Sequence, residues 1–234
     1  MSKRMPIPTD SSRRQFLQSV LSSAAVGVAA ETGIEFASPP TVNAQSNLTP
    51  DAAMQELLDG NQRFAANQLT SIAHDLTILK EKTVDKQEPF AAVLACADSR
   101  VPVELIFDQS IGHIFVTRVA GNIVTPEIIA SLEYGVAVLG AEALLVLGHN
   151  SCGAVKAAMK ADAVPGQIST LYPHLRQAVE QSGGNVATAI QANAKIQAEL
   201  LRTSSTVIRD AVKAGKLRVE SAVYDLTTGK VTLS

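Results

Sequence analysis

The sequence predicts an α/β fold, a mainly parallel β-sheet flanked by helices with a C-terminal edge strand, and two observations carry that prediction. Three short apolar runs, Phe90 to Ala95, Ile114 to Val119 and Ala143 to Leu147, have the length and continuity of strands buried on both faces. Segments with helical spacing alternate with them, which is the pattern of a parallel sheet with crossover helices.

The elements follow in order. Thr49-Pro50 opens a helix: threonine caps it, and proline takes the first position, where its missing N–H costs nothing. Ala53, Leu57, Leu58 and Phe64 then recur at helical spacing. A polar linker ends at Pro89, just before the first apolar run. Between the second and third runs, Pro126 to Leu139 carries Ile128, Ile129, Leu132, Val136 and Leu139 on one helical face. After Gly153 the chain is helical to about Met159. Further helices lie within Ile168 to Val179, Val186 to Arg202 and Ser205 to Ala214, the last closed by Gly215. Leu217 to Leu226 and Lys230 to Leu233 flank Thr227-Thr228-Gly229 and form a closing hairpin.

Composition narrows the function. The 234 residues are 46% hydrophobic and 18% charged, which suits one compact domain. A net charge of −2 with no basic stripe argues against nucleic-acid binding, and 4% aromatic residues with no Trp offers few stacking platforms. Chemistry on a small molecule remains.

The first 44 residues look like an address. Lys3 and Arg4, then Ser11-Ser12-Arg13-Arg14-Gln15-Phe16-Leu17 and the mildly apolar run Val20 to Ala30, resemble a twin-arginine export signal, with Val42-Asn43-Ala44 as a small-residue cleavage site. The apolar run is too short to span a bilayer, so no stable membrane insertion is expected after export. The expected destination is the periplasm, or the thylakoid lumen of a photosynthetic source. Residues 45–234 are then the catalytic domain. A tail with a chance Arg-Arg pair is the alternative.

Only two cysteines occur, and both follow apolar runs at expected strand ends, where open parallel sheets place ligands. The first loop reads Cys96-Ala97-Asp98-Ser99-Arg100, the second Gly148-His149-Asn150-Ser151-Cys152-Gly153. Two thiols and an imidazole are the donor set of a catalytic zinc site with its fourth position open. Cys152 should open the following helix, whose N-terminus favours a thiolate, and Gly153 should let that backbone approach closely. The thiols alone leave a structural disulfide equally open. Asp98 and Arg100 would be an ordinary surface pair in most loops, but beside a metal an arginine can fix a carboxylate through two parallel hydrogen bonds.

Cys96-Ala97-Asp98-Ser99-Arg100-Val101, Arg118-Val119-Ala120-Gly121-Asn122, Ser131-Leu132-Glu133-Tyr134 and Gly148-His149-Asn150-Ser151-Cys152-Gly153 resemble the successive motifs of the β-carbonic anhydrases. The similarity runs from about Leu48 to Val231. The resemblance implies that family's fold, one Zn2+ held by Cys96, His149 and Cys152, and a catalytic dyad of Asp98 and Arg100. It implies reversible hydration of carbon dioxide to bicarbonate by zinc-bound hydroxide. Gln87, nine residues before the first cysteine, and Tyr134, fifteen before the histidine, match catalytic positions of the water-ligated, plant-type subgroup. Val93 stands where the other subgroup has a tryptophan. Phe115 and Ala120 match positions lining the apolar substrate pocket. The family's N-terminal helix embraces a second subunit, so a homodimer or tetramer is expected. Two alternatives stay open: a carbon disulfide or carbonyl sulfide hydrolase on the same scaffold, and a metal-free exported binding protein stapled by a Cys96 to Cys152 disulfide.

Overall fold

Ala91–Ala95 forms β1, Ile114–Arg118 forms β2 and Ala143–His149 forms β3, with Arg218–Tyr224 (β4) and Val231–Leu233 (β5) completing the strands. The computed structural model describes residues 46–71 and 83–234, which belong to a compact unit of residues 42–234. The expected leader, residues 1–44, lies outside the described residues. The five strands make one sheet in the order β2-β1-β3-β4-β5. The first four run parallel and β5 is antiparallel to β4, so the hairpin forms as its turn residues indicate.

The apolar runs become central strands because alternate side chains serve two cores. Val93, Ala95, Leu145 and Leu147 point to one face, where they meet Met54, Leu57, Ile106 and Phe107. Ala92, Leu94, Leu144 and Val146 point to the other, where they meet Leu132, Val136, Leu201 and Ile208. The first face is covered by α1 (Pro50–Ala65) and α2 (Val103–Ile106). The second is covered by α3 (Pro126–Ala137), α6 (Val186–Ser204) and α7 (Thr206–Lys213). Between α3 and α6 in the chain come α4 (Gly153–Lys160) and α5 (Tyr172–Gln181), the latter preceded by a 3₁₀ turn at Ile168–Leu171.

One boundary and one element depart from the sequence pattern. β3 runs on through Gly148 and His149, which pair with Val223 and Tyr224 after the apolar run has ended. The four-residue α2 has too little length to show a period. Among the described residues no helix is long and apolar enough to cross a membrane.

The strand order positions the site. From β1 the chain crosses to β2 on one side, then returns past β1 to β3 on the other. The carboxyl ends of β1 and β3 therefore flank the point where the winding reverses, the crevice in which open α/β sheets hold ligands.

At its far end, α1 is fixed by Asp108, which accepts from Arg63 Nε at 2.6 Å and from the backbone and hydroxyl groups of Thr70 and Ser71. Burial opposes the charge of Asp108, but these donors outweigh it and hold the carboxyl well below its usual range. Midway along α1, Gly60 lies against the backbone of Phe107, where an added Cβ would come 1.8 Å from the carbonyl oxygen. Gly60→Ala is expected to push the helix off the sheet and cost about 1–3 kcal/mol, read as a lowered urea midpoint. An unchanged midpoint would show that α1 moves aside freely.

Candidate metal centre

β1 and β3 deliver the three donors. Cys96 is the first residue beyond β1 and His149 the last of β3. The turn through Asn150 and Ser151, with Ser151 at φ +59°, brings Cys152 back as the N-cap of α4. Left-handed backbone at a serine is strained and persists only where its surroundings enforce it. Asn150 supplies part of that: its N–H donates to the Tyr224 carbonyl and its Oδ1 accepts from Leu226 N–H.

The ligand atoms of Cys96, His149 and Cys152 all lie within 4.8 Å of one another, and all three residues are buried. The two sulfurs are 4.0 Å apart and both cysteines are free, whereas a disulfide needs about 2.05 Å. The disulfide-stapled alternative gains no support. His149 Nδ1 lies 2.9 Å from the Asn150 carbonyl oxygen. A carbonyl only accepts, so Nδ1 carries a hydrogen, and in the neutral ring that leaves the lone pair on Nε2. That Nε2 is buried without a hydrogen-bond partner. A buried lone pair beside two sulfurs, on a ring oriented through its other nitrogen, fits a zinc ligand set.

The thiols share their protons unequally. They face each other across 4.0 Å, where either can donate to the other, and this contact outweighs burial and lowers the Cys96 pKa. Cys152 is pushed up, by the neighbouring Cys96 sulfur first and then by burial. The N–H groups of Ala154 and Val155 act in the direction expected of a helix N-terminus, but the neighbouring sulfur overrides them. Gly153 faces open space, so close approach does not explain it.

Asp98 sits beside the cluster with Oδ2 at 3.8 Å from His149 Nε2, too far for a hydrogen bond. Arg100 grips it from three directions: its backbone N–H and Nε donate to Oδ1 at 3.0 and 2.9 Å, and its Nη2 donates to Oδ2 at 2.8 Å. The Arg100 side chain, aided by its backbone N–H, holds the Asp98 carboxyl far below its ordinary range despite some desolvation.

Arg118, a motif residue without an assigned role in the sequence, clamps this loop from β2. Its Nε donates to the Cys96 carbonyl at 3.0 Å and its Nη2 to the Asp98 carbonyl at 2.5 Å. Knowledge that β1 and β2 pair, with Arg118 opposite Ala95, would have exposed that role. Gly121 follows, at φ +79°, and donates its N–H to Cys96 Sγ at 3.3 Å. A Cβ there would press on Ala154 and Leu175 at 3.3 and 3.4 Å.

Gln87 and Tyr134 are brought together, but elsewhere. They line one hollow with Thr83, Lys86 and Leu139, and Tyr134 packs on Phe115 with ring centroids 6.2 Å apart. Phe115 is the second residue of β2, and Gln87 precedes β1, so this hollow lies at the amino ends of the strands. The five residues of β1, at about 3.3 Å each, separate it from the cysteine end by roughly 16 Å. Ala120 lies in the loop between Arg118 and Gly121, half-buried, on the side of the cluster.

Comparison with known proteins agrees with this geometry. The carbonic anhydrase family model matches residues 91–231, more than half of the chain. Carbonic anhydrase 2 of Mycobacterium tuberculosis is 32% identical over 199 residues, spanning 80% of this chain and 94% of that one. A β-carbonic anhydrase structure from Aspergillus fumigatus superposes with a TM-score of 0.63 at 25% identity, covering 77% of this chain and 90% of that one. A chain from the structures of two tetrameric β-carbonic anhydrases of Sordaria macrospora shares the fold at 24% identity and a TM-score of 0.64, covering 77% of this chain and 95% of that one. None of these relatives is named for carbon disulfide or carbonyl sulfide. The chain therefore belongs to the β-carbonic anhydrases, enzymes that interconvert carbon dioxide and water with bicarbonate and a proton.

Proposed function

We propose that Cys96, His149 and Cys152 hold one zinc ion per chain and that Asp98, kept off the metal by Arg100, works with it as in the water-ligated, plant-type subgroup. The observation that carries this is the occupancy of the Asp98 carboxylate. Arg100 fills both lone pairs of Oδ1 and one of Oδ2, which leaves a single acceptor position on Oδ2. Zinc in this donor set supplies a Lewis acid that makes water acidic enough to act as a nucleophile.

The chain's own residues do the rest. Asp98 Oδ2 accepts the remaining hydrogen of the nucleophile and so turns a reactive lone pair toward the carbon of carbon dioxide. Arg100 keeps Asp98 ionised, and Arg118 fixes the backbone on which both Cys96 and Asp98 ride. Buried Ile123, Val155 and Leu175 pack around the cysteines and exclude bulk water.

Gln87 and Tyr134 act across a subunit interface in this scheme, because β1 holds them at the opposite end of their own sheet. Support comes from the surface around them. β2 is an edge strand, Tyr134 on α3 and Val138 at its C-cap are 47% and 52% exposed, and Val84 is 73% exposed beside Tyr134. A homodimer or a tetramer covers this patch in the present reading, and the Sordaria macrospora enzymes that share the fold are described as tetrameric. The Arg13-Arg14 leader directs the folded chain through twin-arginine export to the periplasm or thylakoid lumen, and its removal leaves residues 45–234 as the catalytic domain.

Hybrid oligomers test the trans arrangement. A Gln87→Ala chain paired with a Cys152→Ser chain rebuilds one intact site of the two in a symmetric dimer, since metal and glutamine then come from different subunits. Carbon dioxide hydration by the hybrid is expected to exceed that of either parent variant. A hybrid no more active than its parents would return Gln87 to its own subunit or remove it from the site.

A further inference from the structure

Two buried amides on α6 end, through one loop, on the sulfur of Cys96. Asn193 and Gln197 are 1% and 0% exposed on a helix face otherwise made of Ala189, Ile190, Ala194, Ala198 and Leu201. Polar side chains are costly in such a face unless every group is paired. Here they are paired. Gln197 Oε1 accepts from Val124 N–H at 2.8 Å, and its Nε2 donates to Asn193 Oδ1 at 3.0 Å and to the His174 carbonyl at 3.2 Å. Asn193 Nδ2 donates to the Gly121 carbonyl at 2.8 Å.

The direction of these bonds is fixed by chemistry. Val124 N–H can only donate, so Gln197 must present its oxygen there and its nitrogen to Asn193. Asn193 must then present oxygen to Gln197 and nitrogen to Gly121. The pair thus holds residues 121–124 at both ends. Between those ends Gly121 and Asn122 stand at φ +79° and +45°, a left-handed pair that needs outside support. The Gly121 N–H points from this loop to Cys96 Sγ at 3.3 Å.

We infer that Asn193 and Gln197 are positioning residues that hold the Gly121 N–H on the Cys96 sulfur and thereby set that sulfur's donor strength toward the metal. This rests on Cys96 being a ligand, as proposed above. An N–H donor withdraws electron density from a thiolate and fixes where the sulfur sits, so its loss makes the sulfur a stronger electron donor and frees it from its place beside the other two donors, which weakens metal capture.

The test compares Asn193→Asp, which replaces the donor with an acceptor at constant shape, Gln197→Met, and Asn61→Ala as a structural control. Asn61 is also buried and bonds to Ile106, Gly229 and Val231, and it shares no hydrogen bond with Cys96, Gly121 or α6. Zinc affinity is measured by chelator competition, and Co2+ is substituted to read the thiolate-to-metal charge-transfer band. Asn193→Asp and Gln197→Met are expected to weaken zinc binding by about ten- to a hundred-fold and to shift the band to lower energy. Asn61→Ala is expected to lower thermal stability while leaving affinity and band unchanged. Affinity and band in both α6 variants equal to those of the control would overturn the inference. A wild-type cobalt protein with no thiolate band would instead remove Cys96 as a ligand, and this inference with it. If the α6 variants do not fold, wild-type protein loaded with ¹¹³Cd decides. A scalar coupling between cadmium and the Gly121 amide proton is expected across the N–H···S bond, and its absence overturns the proposal.

Discussion

Asp98→Asn is expected to bind zinc normally and to lose turnover by about 10²–10⁴-fold, the usual weight of a positioned proton acceptor. The substitution keeps the shape of the side chain and one oxygen for Arg100. It replaces the other oxygen with an NH₂ group, which faces the donor Nη2 of Arg100 at one side and presents hydrogens where a hydrogen must be accepted. Stopped-flow hydration of carbon dioxide, with zinc content measured on the same sample, separates loss of orientation from loss of metal. Full activity with full zinc would remove Asp98 from the chemistry. Activity lost in proportion to zinc would make it a ligand.

Cys152→Ser is expected to lose nearly all its zinc and, with it, activity. A serine hydroxyl stays protonated near neutral pH and is a poor substitute for a thiolate donor. It also removes the sulfur that faces Cys96 across 4.0 Å. The scaffold should survive, because the sheet and both main cores are built from other residues. Circular dichroism is expected to match the wild type while zinc content collapses. A serine variant with full zinc occupancy would show that His149 and Cys96 find their third protein donor elsewhere.

Much of this arrangement was legible in the chain because it is local. Continuous apolar runs identify β1 and β3, since both faces of a central parallel strand are buried. Cysteine and histidine just beyond those runs then sit at strand ends. What escaped depends on contacts between distant segments. Gly148 and His149 extend β3 because Val223 and Tyr224 offer a partner strand, which an apolar-run criterion does not register. Gln87 lies only nine residues before Cys96, yet those residues include β1 at full extension, so sequence proximity becomes separation across the sheet. The helix that follows Cys152 is legible in the chain, whereas the Cys96 sulfur that faces it across 4.0 Å comes from another strand end. Arg118, Asn193 and Gln197 act on backbone groups of other elements, and no spacing rule announces such partners.

The coordination itself is open to one direct measurement. Zinc K-edge X-ray absorption on the wild-type protein and on Asp98→Asn should give the same spectrum, with two sulfurs at about 2.3 Å and nitrogen or oxygen at about 2.0–2.1 Å. Identical spectra are the expected result, with Cys96, His149 and Cys152 as ligands and Asp98 held aside by Arg100. Fewer than two sulfurs, or a first shell that changes when Asp98 is replaced, would contradict it.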